Sequence, residues 1–308
     1  MLQFSNSAVN TIGIHYGFWQ SEWAGDAELF INSAKRAASI GFKALELAAF
    51  AFYDMSRQEM DKLKAAREEI GIEFSYSISF PLEFDISSPD ENIRNNGMKY
   101  VKQILENIGY MGGKSLGGIT YGSWHGKISD TKQAHWDRSV ESVKDIIKVA
   151  EDHGINYCFE TVNRFENFLI NDHHEAIRFA KEVGSPNAKI LLDTFHMNIE
   201  EDSMEDAILE TGDLIGYFHV GENNRKPPGS GTMLDWDKIF AALIKTGYNG
   251  WIVMEPFVMP GGQVGEDIGV YREIMPHLDL DAEAKKALNF VHNKIKNVRL
   301  LIGGMENV

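Results

Sequence analysis

The segment "HWDRSVESVKDIIKVAEDHGINYCFETV" (135–162) contains the unit from which the fold is predicted. Its first twenty residues repeat apolar side chains at helical spacing and end at Gly154, and glycine commonly terminates a helix. The apolar run "NYCFETV" (156–162) follows at once and is typical of a short buried strand. The segment therefore predicts a helix, a tight turn and a β-strand.

Strands and helices alternate in this way along the whole chain. The candidate strands are "VNTIGIHY" (9–16), "KALELAA" (43–49), "EFSYSIS" (73–79), "KSLGGIT" (114–120), "NYCFETV" (156–162), "AKILLD" (188–193), "LIGYFHV" (214–220) and "GWIVMEP" (250–256). Helical patterns between them include 26–41, 56–71, 90–113 and 135–154. Alternation of this kind predicts parallel βαβ units, and eight of them favour a closed (β/α)₈ TIM barrel.

A doubly wound open sheet is the alternative architecture. The chain has no G-x-G-x-x-G after its first strand and no Walker-type loop, so the usual nucleotide signals of that fold are missing. It also has no Pro/Ser-rich linker or low-complexity segment. We therefore expect one domain spanning residues 1–308, with a last helix from about 280 to 302 packed on the barrel.

Composition excludes several classes of protein. The 308 residues carry a formal net charge of −15, whereas nucleic-acid-binding proteins usually present a basic face. One cysteine, Cys158, rules out an internal disulfide, and its apolar surroundings indicate an inert core thiol. No secretory signal or membrane segment is visible in the sequence. We expect a cytoplasmic protein without nucleic-acid or membrane partners.

Four consecutive predicted strands end in a metal-capable side chain. Glu160, Asp193, His219 and Glu255 each follow apolar residues, in "YCFE", "ILLD", "GYFH" and "IVME". In a (β/α)₈ TIM barrel enzyme, the C-terminal ends of the strands meet at one mouth of the barrel. Three carboxylates gathered there would repel each other unless a cation neutralised them. Oxygen-rich ligands with one imidazole suit Mn²⁺, Mg²⁺ or Co²⁺. The pattern predicts a divalent metal site.

A second set of polar residues lies in the loops beyond these strand ends: Arg164, Glu166, His196, Glu222 and Arg225. Each hydroxyl of a polyhydroxylated substrate needs a polar partner, and these side chains could supply them. Loop capping and surface ion pairing would explain any one of them equally well. The sequence therefore indicates a sugar-like substrate without fixing individual contacts.

Other polar residues receive a structural interpretation. Glu46 ends the second strand, which we expect to stand away from strands five to eight, so a structural role is favoured. His173 and His174 open a helix and are expected to face solvent. Aromatic residues of "GIHYGFWQSEW" (13–23) either fill the core or form a wall against a sugar.

Four longer segments resemble one enzyme family. "ETVNRFENFLIN", "LLDTFHMNIEED", "HVGENNRKPPGSG" and "VMEPFV" resemble the ketose 3-epimerases, which include D-tagatose 3-epimerases, D-allulose (psicose) 3-epimerases and L-ribulose 3-epimerases. The similarity runs over nearly the whole chain and is densest from 138 to 273. The resemblance implies a (β/α)₈ barrel that holds a divalent metal, usually Mn²⁺.

The resemblance also implies roles for individual residues. The metal ligands of the family fall on Glu160, Asp193, His219 and Glu255, and its substrate contacts fall on Glu166, His196, Arg225 and Trp124. His15 belongs with the substrate contacts but stands where family members often have tyrosine. Phe80-Pro81 replaces a smaller turn. These two departures bear on which ketose is preferred.

The implied reaction is C3 epimerisation of free ketoses, of the D-fructose/D-allulose, D-tagatose/D-sorbose or L-ribulose/L-xylulose type. A metal on O2 and O3 would polarise the C2 carbonyl and stabilise a cis-enediolate. Glu160 and Glu255 would serve as base and conjugate acid on opposite faces of C3, while Asp193 and His219 serve as ligands only. The expected partners are a small-molecule ketose and further copies of the chain, as a homodimer or homotetramer.

Three other functions remain open from the sequence. An aldose–ketose isomerase would use the same metal barrel and differ in where the sugar sits. An AP-endonuclease-like phosphodiesterase would need more metal ligands and a basic surface, which the net charge disfavours. A non-catalytic sugar-binding protein would not need two glutamates on opposing strands.

Overall fold

Eight parallel strands close into a barrel in chain order, which confirms the predicted single-domain (β/α)₈ TIM barrel. The computed structural model describes residues 10–276 and 279–305, and it describes the side chains of these residues up to residue 302. The strands are β1 Thr11–His15, β2 Ala44–Ala48, β3 Glu73–Phe80, β4 Ser115–Ser123, β5 Asn156–Glu160, β6 Ala188–Asp193, β7 Ile215–Val220 and β8 Trp251–Met254. The predicted start of the first strand at residue 9 lies outside the described residues, and a domain span of 1–308 stays a prediction.

Helices surround the barrel and connect its strands. They are α1 Ala27–Ile40, α2 Arg57–Ile70, α3 Glu91–Tyr110, α4 Lys132–His153, α5 His173–Val183, α6 Thr194–Glu200, α7 Met204–Thr211, α8 Trp236–Lys245, α9 Gly262–Ile268 and α10 Leu280–Met305. α10 occupies the predicted tail. Its Asp281 accepts hydrogen bonds from Trp19 Nε1 at 3.0 Å and Arg36 Nε at 2.7 Å, which tie the helix to the β1–α1 region.

The helix ends follow local sequence signals. Ser56 and Glu59 form a capping box at the start of α2, in which each side chain accepts from the backbone N–H of the other. Gly154 ends α4 with φ 63°, a left-handed conformation that glycine adopts without steric cost. Gly41, Gly71 and Gly184 hold the equivalent positions after α1, α2 and α5, as predicted.

A packed apolar layer lies directly beneath the predicted metal ligands. Cys158, Leu191, Tyr217 and Val253 form one buried cluster, and each stands two residues before a predicted ligand. Side chains alternate between the two faces of a strand, so the ligand and the layer residue of each chain segment point to the same interior side. Burial raises the pKa of the Cys158 thiol to about 12. The layer forms a closed floor, and Cys158 is an inert part of it.

No helix within the described part of the chain is long and apolar enough to cross a membrane.

Candidate active site

The four side chains predicted as metal ligands converge at the C-terminal mouth of the barrel. Glu160, Asp193 and His219 lie on β5, β6 and β7, and Glu255 follows β8 by one residue. Each offers one ligand atom, and these four atoms all lie within 4.8 Å of one another. The Nδ1 atom of His219 is 3.7 Å from Glu160 Oε1 and 3.7 Å from Glu255 Oε2. Four groups that sequence separates by up to 95 positions thus share one small volume.

The orientation of His219 fits a cation at this point. Its Nε2–H donates to Glu46 Oε2 at 3.1 Å, so the neutral imidazole keeps its lone pair on Nδ1. Nδ1 is buried and has no hydrogen-bond partner among the described residues. Burial lowers the pKa of His219, but Glu46 and Glu255 outweigh it and raise that pKa well above its usual value. The carboxylates therefore favour a positive charge at Nδ1, either a proton or a metal cation bound by the lone pair of the neutral ring.

The two glutamates of the cluster differ in proton affinity. Burial raises the pKa of Glu160, and repulsion from Glu255 and Asp193 adds to that effect. Burial also opposes ionisation of Glu255, but the positive charges of His219 and Arg225 prevail and lower its pKa. Two carboxyl groups whose environments push their pKa values apart are a common arrangement for acid and base roles. Three carboxylates with one imidazole form a donor set suited to Mn²⁺, Co²⁺ or Mg²⁺.

Glu46 lies next to His219, contrary to the expectation that the second strand stands away from the site. Its Oε2 accepts from His219 Nε2 and from the Tyr217 hydroxyl, which is also 2.6 Å from Ser75 Oγ. Both Glu46 and His219 are fully buried. A carboxylate behind a metal-ligating histidine fixes its ring and tautomer. Glu46 holds His219 in this way across the narrow barrel interior.

His196 is held as a neutral imidazole. Its Nδ1 accepts from the backbone N–H of Asn163 at 3.1 Å and lies 2.9 Å from the Asn163 side-chain amide, so its Nε2 carries the proton. Burial lowers the pKa of His196 and so disfavours its charged form, although Glu166 opposes this shift. The Nε2–H side of the ring faces Asp193 Oδ2 at 3.7 Å and Glu160 Oε1 at 3.8 Å, and Arg225 Nη2, which is also a donor, lies 3.3 Å from Nε2. His196 therefore presents a hydrogen-bond donor to the cluster.

The Arg225 guanidinium connects the cluster to its surroundings. It donates to Glu255 Oε2 at 2.9 Å, Asp193 Oδ2 at 3.3 Å and Glu166 Oε1 at 3.4 Å. Its Cζ stands 3.9 Å from the ring centroid of Phe195, within the range of a cation–π contact. Its backbone has φ 62°, an uncommon conformation for a non-glycine residue and one that recurs at functional sites.

Glu166 and Trp124 form the next contact outward. Trp124 Nε1 donates to Glu166 Oε2 at 3.0 Å, and the Asn163 side chain donates to Glu166 Oε1 at 3.0 Å. Burial raises the pKa of Glu166, but the positive charge of Arg225 and the hydrogen bonds from Asn163 and Trp124 lower it. Glu166 is therefore an ionised acceptor whose position is fixed from two sides.

A cavity of ≈ 620 Å³ opens above these polar groups. Trp23, Trp124 and Phe257 line it, and Trp23 makes edge contacts with both of the other rings, at centroid distances of 6.4 Å and 5.8 Å. Phe80 and Pro81 line it from β3. An apolar aromatic wall facing a few fixed polar groups is the usual composition of a small-molecule site.

His15 contributes a polar edge to this wall. Its Nδ1 accepts from the backbone N–H of Gly17 at 3.1 Å, which leaves the proton of a neutral ring on Nε2. Burial lowers the pKa of His15, although Glu46 and Glu255 oppose this. The ring makes edge contacts with Trp23 and Phe257. His15 is thus a neutral donor held against two aromatic rings of the cavity.

Comparison with known proteins assigns this chain to a family. Residues 34–278 match the model of the xylose isomerase-like TIM barrels. The chain is 42% identical to the D-psicose 3-epimerase of Ruminiclostridium cellulolyticum, over 90% of this chain and 95% of that protein. The chain belongs to the ketose 3-epimerase family. It is an isomerase-class enzyme, an epimerase, as the resemblance of its sequence motifs predicts.

Further relatives of the epimerase are also named as 3-epimerases. The L-ribulose 3-epimerase of Methylomonas sp. is 32% identical over 92% of this chain and 96% of its own. A crystal structure of the D-psicose 3-epimerase of Clostridium cellulolyticum H10 with D-tagatose superposes with a TM-score of 0.89 at 41% identity, covering 92% and 99% of the two chains.

Arg164 and Glu222 take the ion-pairing and loop-capping roles that the sequence left open, and His173 differs from its predicted placement. Arg164 turns away from the site to a surface ion pair with Glu200 at 2.6 Å. Glu222 is buried beneath its loop, where Oε1 accepts from Gly229 N and Trp236 Nε1. His173 was expected to face solvent, but it is buried against Glu201, which lies 28 positions later, directly after α6.

Sequence reasoning missed three residues that organise the site of the epimerase. Asn163 sets the tautomer of His196, Glu46 orients His219, and Phe257 lines the cavity. Glu46 shows the same signal as the predicted ligands, an acid after apolar residues in a strand. Asn163 and Phe257 lie within three residues of Glu160 and Glu255, and that proximity was the available signal.

Proposed function

We propose that this epimerase catalyses metal-dependent C3 epimerisation of free ketoses. The observation that carries the proposal is the convergence of Glu160 and Glu255 on the bare Nδ1 of His219, 3.7 Å from each, at the base of an aromatic-lined cavity. Relatives named as D-psicose and L-ribulose 3-epimerases support it. We expect a substrate of the same class, a ketohexose or ketopentose.

A divalent cation would be held by Glu160, Asp193, His219 and Glu255. We propose Mn²⁺, with Co²⁺ or Mg²⁺ as alternatives, because the donors are mainly carboxylate oxygens. The bound cation would supply Lewis-acid polarisation of the sugar carbonyl. Glu46 serves as a positioning residue, since its hydrogen bond keeps the Nδ1 lone pair of His219 directed at the three carboxylates.

Glu160 and Glu255 would exchange the proton at C3. Epimerisation removes a proton next to the carbonyl on one face of the sugar and returns a proton on the other, so it needs two groups that alternate as base and acid. The two carboxyl groups come from opposite sides of His219, and their pKa values are shifted in opposite directions.

His196, Arg225 and Glu166 would hold the sugar oxygens. The Nε2–H of His196 and the Arg225 guanidinium are fixed donors, which suits oxygens that gain negative charge as the C3 proton leaves. Glu166 accepts from a sugar hydroxyl or keeps Arg225 in place. Among the described residues that line the cavity, Arg225 is the one arginine or lysine, and three carboxylates already share it. This favours an unphosphorylated sugar.

The test is product identification from a panel of ketohexoses and ketopentoses, assayed with Mn²⁺ before and after chelation. D-Allulose from D-fructose, lost on chelation and restored by Mn²⁺, supports the proposal. An aldohexose product would instead identify an aldose–ketose isomerase. Failure to epimerise any ketose of the panel with Mn²⁺ present would refute the proposed activity.

A further inference from the structure

We propose that His173, His174 and Glu210 form a second metal site, one that takes a divalent transition-metal ion such as Zn²⁺. His173 and His174 are the first two residues of α5, and Glu210 lies in the last turn of α7. One ligand atom from each of the three residues lies within 4.8 Å of the others. The helices that carry them lie outside the barrel, so the site is separate from the four residues at its mouth.

A buried carboxylate fixes the ring of His173. Glu201, the residue directly after α6, accepts from the backbone N–H of His173 at 2.8 Å and contacts its Nδ1 at 2.7 Å. The Glu201 side chain is 4% exposed. Because a carboxylate only accepts, His173 carries a proton on Nδ1, and in the neutral ring Nε2 points outward with its lone pair. Metal-binding histidines are characteristically backed by a carboxylate in this way.

The outward face of His173 meets further ligands. Its Nε2 is 3.3 Å from Glu210 Oε2, and His174 Nδ1 is 3.8 Å from the same oxygen. With a neutral His173 ring, a nitrogen lone pair would face a carboxylate oxygen, and this contact is repulsive unless a cation lies between them. A metal ion satisfies both groups at once.

The spacing suits a tetrahedral ion. Zinc binds imidazole nitrogen and carboxylate oxygen at about 2.0–2.1 Å, which places neighbouring ligand atoms about 3.4 Å apart in a tetrahedron. The observed separations of 3.3 Å and 3.8 Å are close to that value. Three protein ligands leave a fourth position for water. Two imidazoles and one carboxylate favour Zn²⁺ or a similar ion, whereas the mouth of the barrel is richer in oxygen.

Such an ion would join three helices. Glu210 brings the end of α7 and His173 the start of α5, while Glu201 links the end of α6 to the same ring. α6 carries His196 one turn before its end. The site would therefore brace the outer support of a residue that faces the cavity.

The experiment measures total bound metal. The enzyme is saturated with Mn²⁺, dialysed against micromolar Zn²⁺, and analysed for Mn plus Zn per chain, so exchange at the barrel mouth does not alter the count. The variant H174Q/E210Q removes two ligands whose side chains are 68% and 55% exposed, which leaves the fold intact. H153Q is the matched control, because His153 pairs with Glu106 at 2.8 Å on the surface and lacks this three-residue arrangement.

We expect the wild-type chain and H153Q to bind one metal ion more than H174Q/E210Q, with Zn²⁺ affinity at this site weakened at least 100-fold in the double variant. Equal stoichiometry in all three proteins would overturn the proposal and identify the cluster as a simple ion pair of protonated histidines with Glu201 and Glu210. The difference between variants does not depend on which ion, or what reaction, the barrel mouth supports.

Discussion

The two halves of the barrel contribute different chemistry to one cavity. Strands β5–β8 end in the titratable groups Glu160, Asp193, His219 and, one residue on, Glu255. Strands β1–β4 lead instead into His15, Phe80 and Trp124, which are aromatic or neutral. Buried charges are costly unless they share a counter-charge, so they gather around one point, whereas aromatic walls can surround that point freely. We infer that one half performs the reaction and the other selects the substrate.

Substitutions of the two glutamates proposed to be catalytic should give the largest effect. We expect Glu160→Gln and Glu255→Gln each to lower kcat by about 10³–10⁴-fold, because each removes one of two proton-transferring groups. Metal analysis should still find the ion in place, since three ligands and the amide oxygen remain. Glu28→Gln, an exposed carboxylate in the first turn of α1 that does not line the cavity, is the control and should change kcat less than about two-fold. Near-normal turnover in either variant would contradict the two-carboxylate scheme.

Glu46 breaks the division between the halves, because it comes from β2 yet orients His219. We expect Glu46→Gln to weaken Mn²⁺ binding by about ten-fold, since it removes the charge behind the ligand. Isothermal titration with Mn²⁺ measures this without relying on turnover. Tyr76→Phe is the matched control, because the Tyr76 hydroxyl is buried on β3 without a hydrogen-bond partner among the described residues. Unchanged affinity in Glu46→Gln would assign Glu46 to core packing alone.

His15 should show the smallest effect, and it should appear in substrate preference. His15→Tyr exchanges a neutral Nε2–H donor for a phenol, and one hydrogen bond contributes about 0.5–1.5 kcal/mol. The ratio of kcat/KM between two ketohexoses should therefore shift by about 2–10-fold. Tyr16→Phe, next in the chain and packed on Phe30 away from the cavity, should leave that ratio unchanged. A shift in metal affinity without a shift in this ratio would show that His15 does not determine substrate preference.

The strand ends were predictable because their signal is local. Glu160, Asp193 and His219 each close a short apolar run, and the closure of a parallel barrel brings such positions together without further information. Ring orientation was not predictable. Whether His219 or His196 carries its proton on Nδ1 or Nε2 depends on Glu46 and Asn163, which are distant in sequence.

Contacts between residues on different sides of the barrel also could not be predicted from local sequence patterns. Glu46 was expected to stand apart because β2 was predicted to lie away from β5–β8, but the interior is narrow enough for side chains from across the barrel to touch. The burial of His173 follows from Glu201, which the helical pattern around His173 does not reveal. The left-handed backbone of Arg225 has no signature in "ENNRKPP", since arginine rarely adopts it.

Deuterium exchange at C3 tests the central claim most directly. Each single-glutamate variant retains one proton-transferring group, so in heavy water it should exchange the C3 hydrogen of one epimer without converting it to the other. We predict that Glu160→Gln and Glu255→Gln exchange opposite members of the pair D-fructose and D-allulose, as observed by NMR. Exchange of both epimers by either variant, or of the same epimer by both, would contradict the assignment of the two glutamates to opposite faces of C3.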